Sequence, residues 1–510
     1  MTIFLLGILR IGLLVGVSLL LLGLAGLSLI KREHQPRLRR YLNVGLVVAT
    51  VFSAFLYVNL SYGRELDSSQ ASTTDKYVHY HEQYHFYFGS KYIKNVGYDN
   101  LYKATYIALQ ELKLPSQQVI SVRDLSTFNL YRATDIERER VAIKERFSSS
   151  EWESFKTDLA TFLSVRQLNV QTFLQDHGNT GSPVWAVPAH FITRFASPAG
   201  GVLVVLACFD LLLLAVMGLL IGRSFGLVSG VVAFVMLTTA PYVGDYLLGS
   251  FLRFDWLFAC TLGFVFAKQK RWSASGVAFA YAVLSKLFPL FIVIALGIKA
   301  CWALYQKAKP LDSAIDLQHY RKFFTGFVIG ILGFFAFTVV YFGGTGLWTG
   351  YVQRTEATLS EKFYLTNYSF RMPFLQLVDR GVGGTIEDRF IPPVVSMSKP
   401  DVSTAEYSGV WWTTLLLIGG LYAWLIRRRT DLQALSLGIP LIFFFLVVNP
   451  YYYGMLALFA LYWLPDVAKR RAALIGVIAL LMSIALFYYF QHFGQYYFGG
   501  YLMSWVYTVM

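Results

Sequence analysis

The chain has 510 residues, of which 56% are hydrophobic, 17% aromatic and only 15% charged, and its mean hydropathy is +0.50. Intrinsic disorder is excluded by that apolar and aromatic content, and a soluble globule by the many apolar runs of about 18 residues or more. The net charge of +14 does not call for nucleic acid: residues 64–197 hold 15 Lys/Arg and 15 Asp/Glu, and residues 344–408 hold six and seven, leaving 23 basic and eight acidic residues elsewhere. A basic excess in short linkers between apolar spans is what cytoplasmic loops carry.

In chain order the apolar spans fall at about 3–30, 41–62, 198–222, 225–246, 251–267, 272–285, 287–305, 323–343, 409–426, 431–448, 451–467 and 472–490. The expected fold is therefore an all-α polytopic membrane protein with about 12 transmembrane helices and a helical extracytoplasmic loop. Alternating the spans puts every basic cluster on one side: Lys31 to Arg40, Arg223, Lys268 to Arg271, Lys307 to Lys322, Arg427 to Arg429, and Lys469 to Arg471. That side is read as cytoplasmic. The resulting organisation is an N-terminal helix and basic loop (1–40), a second helix (41–63), an extracytoplasmic loop (64–197), a transmembrane bundle (198–343), a second extracytoplasmic loop (344–408), C-terminal helices (409–490) and an extracytoplasmic tail (491–510). Span 272–285 is too short to cross alone and reads as a half-helix paired with 287–305. The first span is too long for a signal peptide and lacks a small-residue cleavage site. Cys208, Cys260 and Cys301 all lie in apolar segments, which argues against a disulfide framework or a Cys-based zinc site.

Loop 64–197 opens with a polar linker. Segment 77–112 then reads as an amphipathic helix whose tyrosines (Tyr77, Tyr80, Tyr84, Tyr87, Tyr92, Tyr98, Tyr102 and Tyr106) suit a membrane interface. The charged stretch 132–170 reads as exposed helix, with Ser148 to Ser150 capping before Glu151. Neither an internal repeat nor a glycine-rich phosphate loop is present.

His81-Glu82-Gln83-Tyr84-His85 matches H-E-x-x-H, the spacing that sets two zinc ligands and a general base on one helical face. The extended metalloprotease pattern fails downstream, with Phe88 where Gly belongs and Lys91 where a third ligand belongs. Glu111 is a distant substitute. A membrane zinc metalloprotease is one alternative function, and a non-catalytic scaffold or transporter is another.

Taken with the spans that follow, the segment from Glu82 through Gly89, Tyr92, Gly97-Tyr98 and Tyr102 resembles the first extracytoplasmic loop of C-class (GT-C) membrane glycosyltransferases. The likeness is to the bacterial mannosyltransferase-like branch that uses polyprenyl-phosphate sugars. Further features fall in that family's order: Gly181-Ser182-Pro183-Val184-Trp185, Gly249 to Asp255, Lys286-Leu287-Phe288-Pro289, Asn367-Tyr368-Ser369, and Asn449-Pro450 with the tyrosines after it. The likeness covers about residues 41–490. Each element is weak alone, and the order carries the weight. Where the family has Asp or an Asp-Glu pair, this chain has His81-Glu82, so Asp75 and Asp99 stand as fallback carboxylates. Span 3–30 looks like an addition before the family's first helix.

The resemblance implies sugar transfer from a polyprenyl-phosphate donor to a lipid, glycan or protein acceptor, at the outer face of a bacterial inner membrane. Such chemistry needs a base for the acceptor hydroxyl and cations for the departing phosphate. The expected catalytic residues are Glu82, His81 and His85. Arg253, Lys286 and Arg371 are expected to hold the donor phosphate, and Asn367, Asp255 and Tyr87 to contact substrate. Asp255 could instead pair with Arg253. No metal ligand is assigned, although a divalent ion remains compatible, and the expected partners are the lipid-linked donor, the acceptor and membrane lipids. Asp210, inside span 198–222, fits none of these roles.

Overall fold

The computed structural model describes residues 3–27, 34–59, 77–113, 119–165, 170–179, 181–241, 247–308, 316–360, 370, 408–446, 448, 450–467 and 470–493. The described chain is helical apart from one short antiparallel pair, Ser121–Arg123 with Leu130–Arg132. Among the described residues, seven helices are long and apolar enough to cross a membrane: Leu5–Gly26, Gln35–Asn59, Gly200–Phe225, Leu290–Lys307, Gln318–Phe342, Ser408–Ile426 and Arg471–Tyr489. Their 18 to 26 residues correspond to about 27–39 Å at 1.5 Å per residue, which matches a hydrocarbon core of about 30 Å. Rows of Val, Leu and Phe on these helices remain exposed, as on Gln35–Asn59 and Gln318–Phe342. This is the surface of a membrane protein, where lipid covers what water would not.

The other five apolar stretches form shorter elements. Four are the helices Leu227–Thr239, Asp255–Lys268, Trp272–Ser285 and Asp431–Phe445. Segment 450–466 is a chain of short turns, Pro450–Met455, Leu456–Phe459, Ala460–Tyr462 and Leu464–Asp466. Within it, Pro465 lacks the N–H that a continuous helix would use.

Trp272–Ser285 is short, as its length requires, but it packs chiefly against Gln318–Phe342 and Asp255–Lys268 rather than against Leu290–Lys307. Glycines decide that partner. A Cβ on Gly276 would strike the Phe323 carbonyl, and one on Gly326 would strike that of Ser273. Small residues of this kind let two helix backbones approach closely within a bilayer. The chain leaves Trp272–Ser285 at Lys286, which is extended, and re-enters a helix after Pro289. Pro289 has no N–H to give the Ser285 carbonyl, so the helix cannot run on through it.

Segment 77–196 supplies most of a second hydrophobic core, to which Leu203, Leu206, Phe251 and Leu252 of the bundle also belong. Segment 77–112 is not one interfacial helix. It runs as Tyr80–Gln83, a π-helical turn Tyr84–Phe88, Gly89–Lys91, Ile93–Val96 and, after Gly97 at φ +58°, Leu101–Leu112. Its tyrosines are core residues: Tyr80, Tyr84, Tyr87, Tyr92, Tyr98, Tyr102 and Tyr106 are all buried. Burial is tolerable because the phenols find partners. Tyr84 donates to Thr105 Oγ1 at 2.7 Å, Tyr92 to Asp158 at 2.7 Å and Tyr98 to the Gly181 carbonyl at 2.8 Å. Helix Ser149–Val165 starts as expected. Ser148 Oγ accepts from the Glu151 N–H while the Glu151 carboxylate accepts from the Ser148 N–H, a reciprocal cap.

Candidate functional site

The site begins at Asp210, half-way along helix Gly200–Phe225. Its buried carboxylate accepts from the backbone N–H groups of Arg253 (2.8 Å) and Phe254 (3.2 Å), just before helix Asp255–Lys268 starts. A charge in a membrane helix needs such partners. Asp210 is thus a positioning residue for the Gly249–Phe254 turn, a role that no sequence pattern announces. At the other end of the turn, Gly249 has φ +79°, and a Cβ there would fall inside contact of the Tyr77 carbonyl. Only glycine admits this approach. The Gly249 carbonyl accepts from the His79 N–H at 2.9 Å and from Gln83 Nε2 at 3.1 Å, which ties the start of Tyr80–Gln83 to the bundle.

The tie brings Glu82 onto Arg253, 171 residues away, and the two form an ion pair with Arg253 Nη1 donating to Glu82 Oε2. The guanidinium lies 4.2 Å from the Phe86 ring centroid and 5.5 Å from that of Tyr451. Lys286 stands in the break after Trp272–Ser285, with its ammonium 5.8 Å from the Tyr452 ring. It lies within electrostatic reach of Arg253, Asp255 and Glu82. Asp255 does not pair with Arg253: its Oδ2 accepts from Ser285 Oγ (2.7 Å) and the Tyr281 hydroxyl (3.1 Å), so it braces the Lys286 turn. Tyr87 does not face the site either. It is buried, donating to the Ala196 carbonyl at 2.5 Å and receiving Lys91 at 3.1 Å. Arg371, Asn367 and Asp75 lie outside the described residues. Burial lifts the Asp99 carboxyl above the usual range, with Asp124 adding to this and Arg354, Lys103 and Arg146 opposing it.

Beside this cluster, on the same segment, His81 and His85 both place Nε2 3.1 Å from one oxygen, Asp176 Oδ2. The Tyr102 hydroxyl is 3.0 Å from His85 Nε2. Burial pushes the His85 imidazole down to about 3, the neighbouring charges of His81, Arg354 and Arg253 add to this, and Asp176 opposes it. Burial also disfavours charge on His81, but the hydrogen bond and charge of Asp176, with Glu82, outweigh it and hold His81 above its ordinary value. Asp176 is held well below the carboxylate range: burial works against this and is overcome by His177, His81 and His85. Arg354, from stretch 344–408, is buried within electrostatic reach of His85 and Asp176 and donates to the Leu125 carbonyl at 2.8 Å.

Glu111 has no part here. It binds Lys144 (2.8 Å), Lys156 (3.3 Å), Arg140 (3.3 Å) and the Trp152 indole (2.8 Å). Lys91 pairs with Asp158 at 2.5 Å. Compared with known protein families, curated proteins and solved structures, the chain matches none.

Proposed function

We propose that the chain is an integral-membrane glycosyltransferase of the GT-C type, moving a sugar from a polyprenyl-phosphate donor to a lipid, glycan or protein acceptor. The observation that carries this reading is the meeting of Glu82, Arg253 and Lys286. They come from three distant segments, two of them joined as an ion pair, with tyrosines 451 and 452 packed against the cations. These are the segments on which the likeness to the family rests. The basic linkers support an extracytoplasmic position for 64–197 and 344–408 in a bacterial inner membrane, with the four shorter apolar helices and segment 450–466 completing about 12 crossings.

The reaction follows from the residues. Arg253 and Lys286 receive the donor phosphate, and phosphate competes with Glu82 for the guanidinium. Glu82, freed from Arg253, takes the proton of the acceptor hydroxyl. The acceptor oxygen bonds to the anomeric carbon as the carbon–oxygen bond to phosphate breaks. The electron pair leaves on the polyprenyl phosphate, where the two cations stabilise it. The peptidase reading is less well supported, because its general base would be Glu82, whose carboxylate is directed to Arg253 instead of a metal-bound water.

Glu82→Gln keeps size and polarity without basicity, so transfer in detergent should fall by about 10²–10⁴-fold while donor binding persists. Lys286→Ala should weaken donor binding instead. Near-normal turnover in Glu82→Gln would overturn the assignment.

A further inference from the structure

We propose that His81 Nε2, His85 Nε2 and Asp176 Oδ2 form a binding site for one divalent cation of the zinc class. The three ligand atoms lie within 4.8 Å of one another, and Asp176 Oδ2 is 3.1 Å from each imidazole nitrogen. Ligands held 2.0–2.1 Å from a tetrahedral zinc stand about 3.3 Å apart, so the carboxylate-to-imidazole spacings are those of ligands sharing an ion. Two neutral imidazoles and one carboxylate are also a donor set that borderline divalent metals favour over calcium or magnesium.

The set is built before any ion arrives. His81 and His85 flank the change from α-helix to π-turn, and their rings are 4.7 Å apart. Asp176 is delivered by a separate segment. Arg123 Nε donates to the Gln175 carbonyl at 2.6 Å, and Gln175 Nε2 donates to Ser121 Oγ at 2.7 Å, so the short β-pair fixes the residue just before Asp176. His85 is buried, whereas the side chains of His81 and Asp176 are 32% and 38% exposed, which leaves one side open for an ion to enter. Three protein ligands with an open fourth position are the arrangement that accepts a water or hydroxyl oxygen.

A hydrogen-bonded triad is the competing account of these contacts. His85 Nε2 is met both by Asp176 Oδ2 and by the Tyr102 hydroxyl. The triad needs both imidazoles to carry their proton on Nε2 and to donate to the same oxygen, Asp176 Oδ2. A divalent cation instead takes both Nε2 lone pairs and the carboxylate at once. The site is separate from the Glu82–Arg253 pair, and its existence does not rest on the transferase reading.

The test uses the full chain purified in detergent, stripped with chelator and titrated with zinc by calorimetry, with metal analysis of the isolated protein. Cobalt(II) serves as a spectroscopic probe. One equivalent should bind, with the intense visible bands of a tetrahedral cobalt centre. Asp176→Asn preserves size and is made at a partly exposed position, so it is the deciding variant; His85→Ala is its buried counterpart. Each should weaken zinc binding by more than the roughly 10–100-fold that loss of an outer partner of a ligand costs, while Lys286→Ala binds zinc normally. Absence of a saturable equivalent in the wild type, or unchanged affinity in well-folded Asp176→Asn, would overturn the site. Loss of transfer in Glu82→Gln bears on the other reading and leaves this one untouched.

Discussion

At the scale of single residues, Glu111 shows how a carboxylate that looks free for chemistry can be wholly engaged in structure. Its oxygens meet Lys144, Lys156, Arg140 and the Trp152 indole, joining helix Leu101–Leu112 to two neighbouring helices. Burial alone would raise its pKa. Hydrogen bonds from Lys144 and Trp152, with the Lys144 charge and Lys156, overcome this and bring it down to about 2 from 4.5. The unfolded chain therefore binds a proton more readily than the folded one, and stability is linked to pH. The contribution is complete above pH 4.5 and is lost as pH falls through about 2. Thermal unfolding followed by circular dichroism should show a loss of melting temperature across that window. In Glu111→Gln this part of the pH dependence should disappear, and the protein should melt lower at neutral pH. An unchanged acid profile in the variant would remove Glu111 from the linkage.

At the scale of elements, the Gly249 turn decides whether the loop segment and the bundle share a site. A Cβ at position 249 would collide with the Tyr77 backbone, and φ +79° is itself unfavourable for other residues. Gly249→Ala should push Tyr77–His79 off the turn and carry Glu82 away from Arg253. Misplacement of about 1 Å costs on the order of 10²-fold in rate, so transfer should fall by that much with membrane insertion intact. Gly226→Ala provides the contrast. That glycine also has positive φ, +97°, but nothing lies within 4 Å of its added Cβ, so it should melt somewhat lower and keep its activity. Equal activities in the two variants would contradict the positioning role of Gly249.

The same elements mark what could be read from the chain beforehand. Ser148 and Glu151 cap a helix through contacts three residues apart, and Pro289 breaks one, features that a linear reading captures. The π-turn was hidden because Tyr80, Tyr84 and Tyr87 repeat at ordinary α-helical spacing. The tyrosines read as interfacial because composition does not reveal that Thr105, Asp158 and the Gly181 carbonyl await their hydroxyls. Asp176 escaped for a similar reason: it lies 95 residues from His81 and is brought there by a β-pair with three residues in each strand. Likewise, Asp210 looked idle because its partners are backbone groups 43 residues later. Glu82, Arg253 and Lys286 are each marked by local context, but their meeting depends on packing between segments 171 and 33 residues apart.

For the whole molecule, the remaining question is which way the bundle faces. The 23 basic residues outside the two long polar stretches face only eight acidic ones, and in alternating order all six basic linkers fall on one side. Positive charge is retained on the cytoplasmic side during insertion, so the loop bearing Glu82 and the His81–His85 pair should face outward. Ser150 and Gln318 test this directly, because both are exposed and they belong to opposite sides of that alternation. With Cys208, Cys260 and Cys301 replaced by alanine, Ser150→Cys in intact cells should react with a membrane-impermeant maleimide. Gln318→Cys should react only after the membrane is permeabilised. The reverse pattern would put the Glu82–Arg253 pair on the cytoplasmic side. A polyprenyl-phosphate donor presented outside could not then reach it, and the proposed direction of transfer would fall with the topology.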